Sequence, residues 1–353
     1  MHLRWPTRLT TWLTLGLLAC LVATATQAQT PSTHWRDVST PAEQALDAAA
    51  FQGLDAALST QLTDVQSAVV VLRGRVVYRF YRDGEPDTLR DTQSASKSAL
   101  SALLGTAIAQ GRITSVDQRV VDLVPEWAPL NTDPRAATIT LRHLLTLTAG
   151  FALDNTPRTS AGTAAPLPVR EAWARPLAAD PGQTFAYDNS VTRLLVAVLE
   201  KTTGMPLADY ARQQLVGPMG FAEPSYRGSI VHLRTLDMAK LGQLYLQRGQ
   251  WDGKPLVPEA FADASAQVQN AGGPPVGLSY GYLWWVVPGK AARPIFMASG
   301  FGGQLIWVYP PLDVVVATTS TVSAESGQRG QALQWIRNHV FAAAQRRVAS
   351  EGK

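Results

Sequence analysis

Apolar positions along this chain follow two rhythms, and where each one holds marks out strand-bearing ends around a helical middle. Residues 41–62 carry Ala, Leu and Phe at helical spacing, with Pro41 suited to a first turn. Residues 67–82 read as a hairpin. Ala68-Val69-Val70-Val71-Leu72 is a continuous apolar run, Arg73-Gly74 a turn, and Val76-Val77-Tyr78-Arg79-Phe80 alternates. Residues 91–109 read as a long helix with Leu100, Leu103, Leu104, Ala107 and Ile108 on its buried face and Gly111 as its stop. From there to about residue 270 the signals are helical, clearest at 141–147, 190–203, 207–215 and 235–247. Loops rich in Pro, Thr and Ala break them, the longest at 154–168. After Gly272-Gly273-Pro274-Pro275 the pattern turns to strands at 282–287, 295–299, 304–309 and 314–319. An amphipathic helix follows at 328–347.

Strands so far apart along the chain are expected to pair into one antiparallel sheet, with the helical middle inserted as a second domain. The expected class is therefore α/β in the α+β sense. A discontinuous sheet domain takes 29–93 and 272–353, a mainly helical domain takes 94–271, and the active site lies in the cleft between them.

Residues 1–28 read as an export signal rather than fold. Arg4 and Arg8 form a positive start, residues 9–21 an apolar core, and Thr26-Gln27-Ala28 a small-residue cleavage site before Gln29. The apolar run is short for a membrane span. The single cysteine, Cys20, follows Leu17-Leu18-Ala19, a loose lipoprotein box. The residues after it stay apolar, however, which favours simple cleavage over lipid anchoring and a periplasmic or secreted product. Cleavage there leaves no cysteine, hence no disulfide and no thiol nucleophile. The formal charge of +4 is scattered, with no stripe to track phosphates, so nucleic acid is not an expected partner.

Three segments carry chemistry. In Ser94-Ala95-Ser96-Lys97 a serine and a lysine three residues apart share one helix face, close enough to exchange a proton. Ser-x-x-Lys alone is a weak pattern, since Ser350-Glu351-Gly352-Lys353 fits it in the tail. In Tyr187-Asp188-Asn189 a phenol can relay protons and a carboxamide can hold a substrate carbonyl; the plainer reading is a packing Tyr and an Asn capping the next helix. In Ala298-Ser299-Gly300-Phe301-Gly302-Gly303-Gln304 glycines at a strand junction let a substrate lie close to the strand edge, against the plainer reading of a hairpin turn.

In this order and context the three segments resemble the serine hydrolases of the class C β-lactamase and D-alanyl-D-alanine carboxypeptidase superfamily. The likeness is strongest to the branch of family VIII esterases and 6-aminohexanoate-dimer hydrolases. Leu141-Arg142-His143-Leu144-Leu145-Thr146-Leu147-Thr148-Ala149-Gly150 and Tyr280-Gly281-Tyr282-Leu283-Trp284-Trp285 support it, as does the 236–245 segment. The resemblance spans about residues 42–345. It implies that Ser94 is acylated, that Lys97 takes part in proton transfer, and that Tyr187 is a general base or relay. Asn189 would touch the substrate amide or ester, and Ser299 and Gly300 would fill the last two places of the Lys-Thr-Gly triplet. The N–H groups of Ser94 and Phe301 would form the oxyanion hole. Whether Lys97 or Tyr187 takes the first proton stays open. One departure matters: Ala298 stands where the triplet has a cation that holds a substrate carboxylate, which favours an uncharged ester or amide.

The expected activity is cofactor-free hydrolysis of a small-molecule ester, amide or peptide-like substrate through an acyl-enzyme. The alternatives are β-lactamase or carboxypeptidase activity, and a non-catalytic cell-wall or partner-binding protein on the same fold, against which intact Ser94, Lys97 and Tyr187 speak. A rival site is Gly277-Leu278-Ser279-Tyr280-Gly281, a Gly-x-Ser-x-Gly followed by Asp313 and His339. It needs a strand before the serine and a helix after it, and the pattern offers a loop and a strand. His34, His143, His232 and His339 are isolated, with no ligand-spaced pair, so no metal is expected.

Overall fold

In the computed structural model residues 35, 40–153, 167–322 and 328–350 are described. The expected export signal with Cys20, the lead-in around His34, and most of the expected 154–168 loop lie outside them.

Strand β1 (Val65–Leu72) is buried at every position but Gln66, so both its faces need cover. A two-residue turn joins it to β2 (Arg75–Tyr81); Arg73 and Gly74 there have φ of 51° and 74°, the pair of positive angles that suits a tight hairpin. On its other side β1 pairs antiparallel with β13 (Val314–Ser320), from Val65 opposite Ser320 to Leu72 opposite Val314. The two ends of the chain therefore meet in one sheet, as expected. The sheet continues through β12 (Gln304–Tyr309), β11 (Ile295–Gly300), β10 (Trp285–Val287), β9 (Leu278–Tyr280) and β8 (Asn270–Gly273). Its order is β2-β1-β13-β12-β11-β10-β9-β8. A second small sheet has the order β3-β5-β4, from Arg90–Asp91, Ile230–Leu233 and Ser225–Arg227. Gln250–Trp251 and Lys254–Pro255 (β6 and β7) form a ribbon.

Several boundaries differ from expectation. The expected strand at 282–287 begins only at Trp285, because Leu283 takes a left-handed turn with φ 60°. Strands β8 and β9 lie where the Gly-Pro segment had suggested a loop. Ser279 is consequently in mid-strand, paired with Val286 and 8% exposed, so the rival elbow does not exist. Asp313 sits in the turn before β13 and His339 in the C-terminal helix.

The expected helix at 41–62 is two, α1 (Pro41–Phe51) and α2 (Leu54–Thr60), broken at Gly53 with φ 84°. The expected helix at 91–109 is also shorter. Asp91 belongs to β3, Gln93–Ala95 is a 3₁₀ turn, and α3 runs Ser96–Ala109. Next come α4 (Val120–Leu123), α5 (Leu141–Leu145), α6 (Val169–Ala174), α7 (Asn189–Thr203) and α8 (Leu207–Ala211). A π-helical turn over Arg212–Val216 leads into α9 (Gly217–Met219), then α10 (Thr235–Leu246) and α11 (Glu259–Ser265). The C-terminal helix is α12 (Gln328–Trp335) and α13 (Phe341–Ser350), joined by π-helical Ile336–Val340.

Helices α1, α12 and α13 pack with one another and with β1, β2 and β13, while α10 lies against β1, β12 and β13. The sheet thus recruits a cover helix from within the 94–271 stretch. Contact there is very close. A Cβ on Gly242 of α10 would stand 2.5 Å from Val315 Cγ1 and 2.7 Å from Ile306 Cγ2. Gly242→Ala is therefore expected to destabilise by about 1–2 kcal/mol, overpacking outweighing the roughly 1 kcal/mol that Ala gains in a helix. Urea denaturation checks this, and an unchanged or raised midpoint would refute it. Helix α3 is buried through most of its length, between β11, α7 and α11. It brings Ser94 and Lys97 to the end of β11.

Candidate active site

Ser94 occupies the middle of the 3₁₀ turn that leads into α3, and Lys97 lies in the first turn of the helix. The i,i+3 spacing puts the two side chains on one face, with Lys97 Nζ 3.1 Å from Ser94 Oγ. Lys97 is only 6% exposed, so its nitrogen needs protein partners. A second one comes from α7: Lys97 Nζ donates to Asn189 Oδ1 at 2.9 Å. The same nitrogen lies over the ring of Tyr187, 4.9 Å from its centroid. Two chain segments about ninety residues apart therefore converge on one ammonium or amine.

The loop carrying Tyr187 is held from both sides. Asp188, not Asn189, caps α7, accepting the Ser190 N–H at 2.8 Å, while its other oxygen meets Arg175 Nη2 at 2.6 Å. Both members of that pair are buried, and Arg175 stacks over Phe151 at 5.0 Å. Tyr187 itself stacks on Trp285, with ring centroids 5.8 Å apart and planes at 17°. Phe185 and Tyr280 complete an aromatic cluster around Trp285, at 5.8 and 4.7 Å from it. Burial, and then the neighbouring Tyr187, push the Tyr280 phenol well above its ordinary value, so Tyr280 stays protonated and packs.

Strand β11 closes the site. Ser299 and Gly300 end it, Phe301 follows directly, and the strand packs along the Ser94 turn. Gly300 makes the approach feasible, since a Cβ there would lie 2.5 Å from Thr92 O and 2.9 Å from Gln93 Cβ. Ala298 is fully buried opposite Ile306, and no side-chain cation stands at its place in the strand.

The structure thus gathers Ser94, Asn189 and Tyr187 around Lys97 Nζ, with Ser299 and Gly300 at the end of the strand beside the serine's turn and Phe301 directly after them. Sequence reasoning missed the supports: Asp188 with Arg175, Trp285 under Tyr187, and a hydroxyl net behind Ser94. In that net Ser96 Oγ donates to Gln93 O at 2.7 Å and accepts the Val231 N–H at 3.0 Å, and Thr92 Oγ1 donates to Val231 O at 2.6 Å. Only the Asp before an apolar run was a readable signal, as a helix cap.

His143 anchors a loop. Its Nδ1 accepts the Thr140 N–H at 3.1 Å, and burial pushes the imidazole below its ordinary value, which keeps that nitrogen an acceptor. Among the described residues no group of three or more His, Cys, Asp or Glu side chains is placed to hold a metal ion. A small, mostly apolar hollow lies beside α3, lined by Ser96, Leu100, Leu103, Leu215 and Val231 among others. Its wall includes neither Ser94, Lys97 nor Tyr187.

Comparison with solved structures agrees with this architecture. A Bacillus anthracis protein assigned as a 6-aminohexanoate-dimer hydrolase superposes with a TM-score of 0.70 at 20% identity, over 90% of this chain and 89% of that one. EstCE1, a hydrolase with promiscuous acyltransferase activity, gives 0.67 at 18% identity, over 86% and 100%. A penicillin-binding protein homologue from Caulobacter crescentus gives 0.66 at 16%, over 87% and 99%. At such identities the likeness is one of fold, which is that of β-lactamases and penicillin-binding proteins. No curated protein sequence matches the chain significantly. The family model for beta-lactamases, however, matches residues 54–340, well over half of the 353, and on that ground the chain belongs to the beta-lactamase family of hydrolases.

Proposed function

We propose that the protein is an exported serine hydrolase that cleaves an uncharged carboxylic ester or amide through an acyl-enzyme on Ser94. The observation that carries this reading is Lys97 Nζ, 3.1 Å from Ser94 Oγ and 2.9 Å from Asn189 Oδ1. In its amine form Lys97 donates to Asn189 and offers its lone pair to the Ser94 O–H. Ser94 Oγ then attacks the substrate carbonyl carbon while its proton passes to Lys97. The oxyanion is received by the N–H groups of Ser94 and Phe301, each worth about 10²–10³ in rate. The departing alcohol or amine takes up the proton, relayed through Tyr187, and leaves Ser94 acylated. Water hydrolyses the acyl-enzyme by the same route in reverse.

An uncharged substrate follows from Ala298, which replaces a cation that would hold a carboxylate. The aromatic cluster of Phe185, Tyr187 and Trp285, whose Tyr187 ring lies over Lys97, supports the same preference for an apolar neighbour. EstCE1, which shares the fold, is a hydrolase, in line with this reading. Export rests on the Arg4, Arg8 and apolar pattern of residues 1–28; among the described residues no helix is long and apolar enough to cross a membrane.

The test is the intact mass of the purified protein after treatment with a fluorophosphonate, with peptide mapping of the adduct. One adduct, on Ser94, is the expected result. An adduct on another serine, or none, would overturn the proposal.

A further inference from the structure

The residue before the nucleophile has a backbone that needs explaining. Gln93 has φ 49°, a left-handed conformation uncommon for a residue with a side chain. What holds it there is the carboxylate of Asp91. Asp91 Oδ1 accepts the Gln93 N–H at 2.8 Å, an Asx turn, and Asp91 Oδ2 accepts Gln93 Nε2 at 2.8 Å. Main chain and side chain of one residue are thus clamped by two oxygens of another. The carboxylate is itself held: Arg227 Nη2 of β4 donates to Oδ2 at 2.7 Å, and His232 Nε2 of β5 stands 3.8 Å away. Beyond Gln93, its carbonyl accepts Ser96 Oγ at 2.7 Å, which blocks the peptide from turning over.

We infer that Asp91 is a positioning residue for Ser94, fixing Gln93 in its left-handed conformation so that Ser94 Oγ faces Lys97 Nζ. This rests on the reading of Ser94 as the nucleophile. The Asp91 carboxylate bonds Gln93 rather than Ser94 Oγ, and acts through the Gln93 backbone. Released from the clamp, Gln93 relaxes to negative φ, and the next residue, Ser94, swings off its line to the lysine. A left-handed residue other than glycine carries a cost equivalent to about a tenfold population ratio or more, so the relaxed turn takes over. Glycine populates both hands nearly equally and needs no clamp. The mechanism therefore has a signature that a merely stabilising carboxylate lacks: the need for Asp91 should vanish when residue 93 is glycine.

The experiment is a cycle of Asp91→Ala and Gln93→Gly, reading the second-order rate of fluorophosphonate labelling, kcat and KM for p-nitrophenyl butyrate, and the thermal midpoint. With Gln93 present, Asp91→Ala is expected to lower labelling and kcat about tenfold or more, with KM within about twofold. In the Gln93→Gly background, the same substitution is expected to cost less than about threefold. Arg227→Ala cuts the tie to β4 but leaves both bonds to Gln93, and is expected to keep labelling within about threefold. Should Asp91→Ala fail to fold, Asp91→Asn is carried through the same cycle, since it keeps the shape and weakens the clamp. Equal losses with and without the Gln93→Gly change would overturn the inference, as would wild-type labelling by Asp91→Ala with only a lowered midpoint. A wild-type protein that labels at a residue other than Ser94 would overturn the proposed function and this inference together. Labelling at Ser94 that ignores Asp91 would overturn this inference alone.

Discussion

Lys97→Met is expected to lower kcat/KM for a neutral p-nitrophenyl ester by about 10²–10⁴-fold, the range set by removal of a positioned acid or base. Lys97 Nζ touches Ser94 Oγ, at 3.1 Å, and its loss takes away the acceptor proposed for the hydroxyl proton. Ser94→Ala removes the proposed nucleophile and should cost at least as much. Because the two side chains act as one unit, the double variant is expected to be no slower than Ser94→Ala alone. Met matches the length of the lysine stem, and Lys97 is 6% exposed, so the packing of α3 survives. The change does leave Asn189 Oδ1 without its 2.9 Å donor, which costs about 1–3 kcal/mol and should appear as a modestly lowered thermal midpoint. Steady-state kinetics on the three variants, with the midpoint measured alongside, check this. A Lys97→Met protein retaining a tenth of wild-type kcat/KM would remove Lys97 from the mechanism.

How much of this was legible in the sequence depended on the distance over which each interaction is written. Ser94 and Lys97 share a helix face by spacing alone, and Tyr187 and Asn189 lie two residues apart, so both halves of the site could be read locally. Their meeting could not be derived from spacing; it took the resemblance to a family. The strands with unbroken apolar runs, β1, β12 and β13, were equally plain, because burial on both faces leaves no polar alternation to confuse. Strand β8, Asn270-Ala271-Gly272-Gly273, carries no such run. It forms at the edge of the sheet by pairing with β9, and a periodic pattern cannot reveal it. Ser279 shows the opposite case: a five-residue motif matched, but the strand-to-helix context it needs was already missing from the sequence, and the structure puts Ser279 in mid-strand. The clamp on Gln93 was hidden altogether. Arg227 reaches Asp91 across 136 residues, and Val231 reaches Ser96 across 135. Side chains that join only after folding leave no periodic trace. The left-handed Gln93 was equally invisible, since nothing about a glutamine announces positive φ.

Gly300→Ala is expected to lower kcat/KM by about 10²-fold while KM stays within a few-fold. The added methyl would sit 2.5 Å from the carbonyl oxygen of Thr92, and 2.9 Å from the Cβ atoms of Gln93 and Gln304. The first of these is backbone and cannot rotate away, so strand β11 and the Ser94 turn must separate. A shift of several tenths of an ångström up to about 1 Å follows. Misplacement of about 1 Å costs a reaction of this kind about 10² in rate, because the attacking oxygen, the lysine and the oxyanion donors must align together. The donors proposed for the oxyanion, the N–H groups of Ser94 and Phe301, stand on the two elements that the methyl forces apart. Stability should fall as well, by about 1–3 kcal/mol for an overpacked contact. A control separates collision from backbone strain. Gly84 has φ 76°, with nothing within 4 Å of a built Cβ. Gly84→Ala should therefore lose about 1 kcal/mol of stability from strain alone and keep its full activity. Kinetics, fluorophosphonate labelling and urea midpoints of the two variants decide the matter. If Gly300→Ala loses stability but labels and turns over like the wild type, the strand end does not set the geometry of attack. If it labels slowly while Gly84→Ala does not, the approach of β11 to Thr92 is what aligns the nucleophile with its oxyanion site.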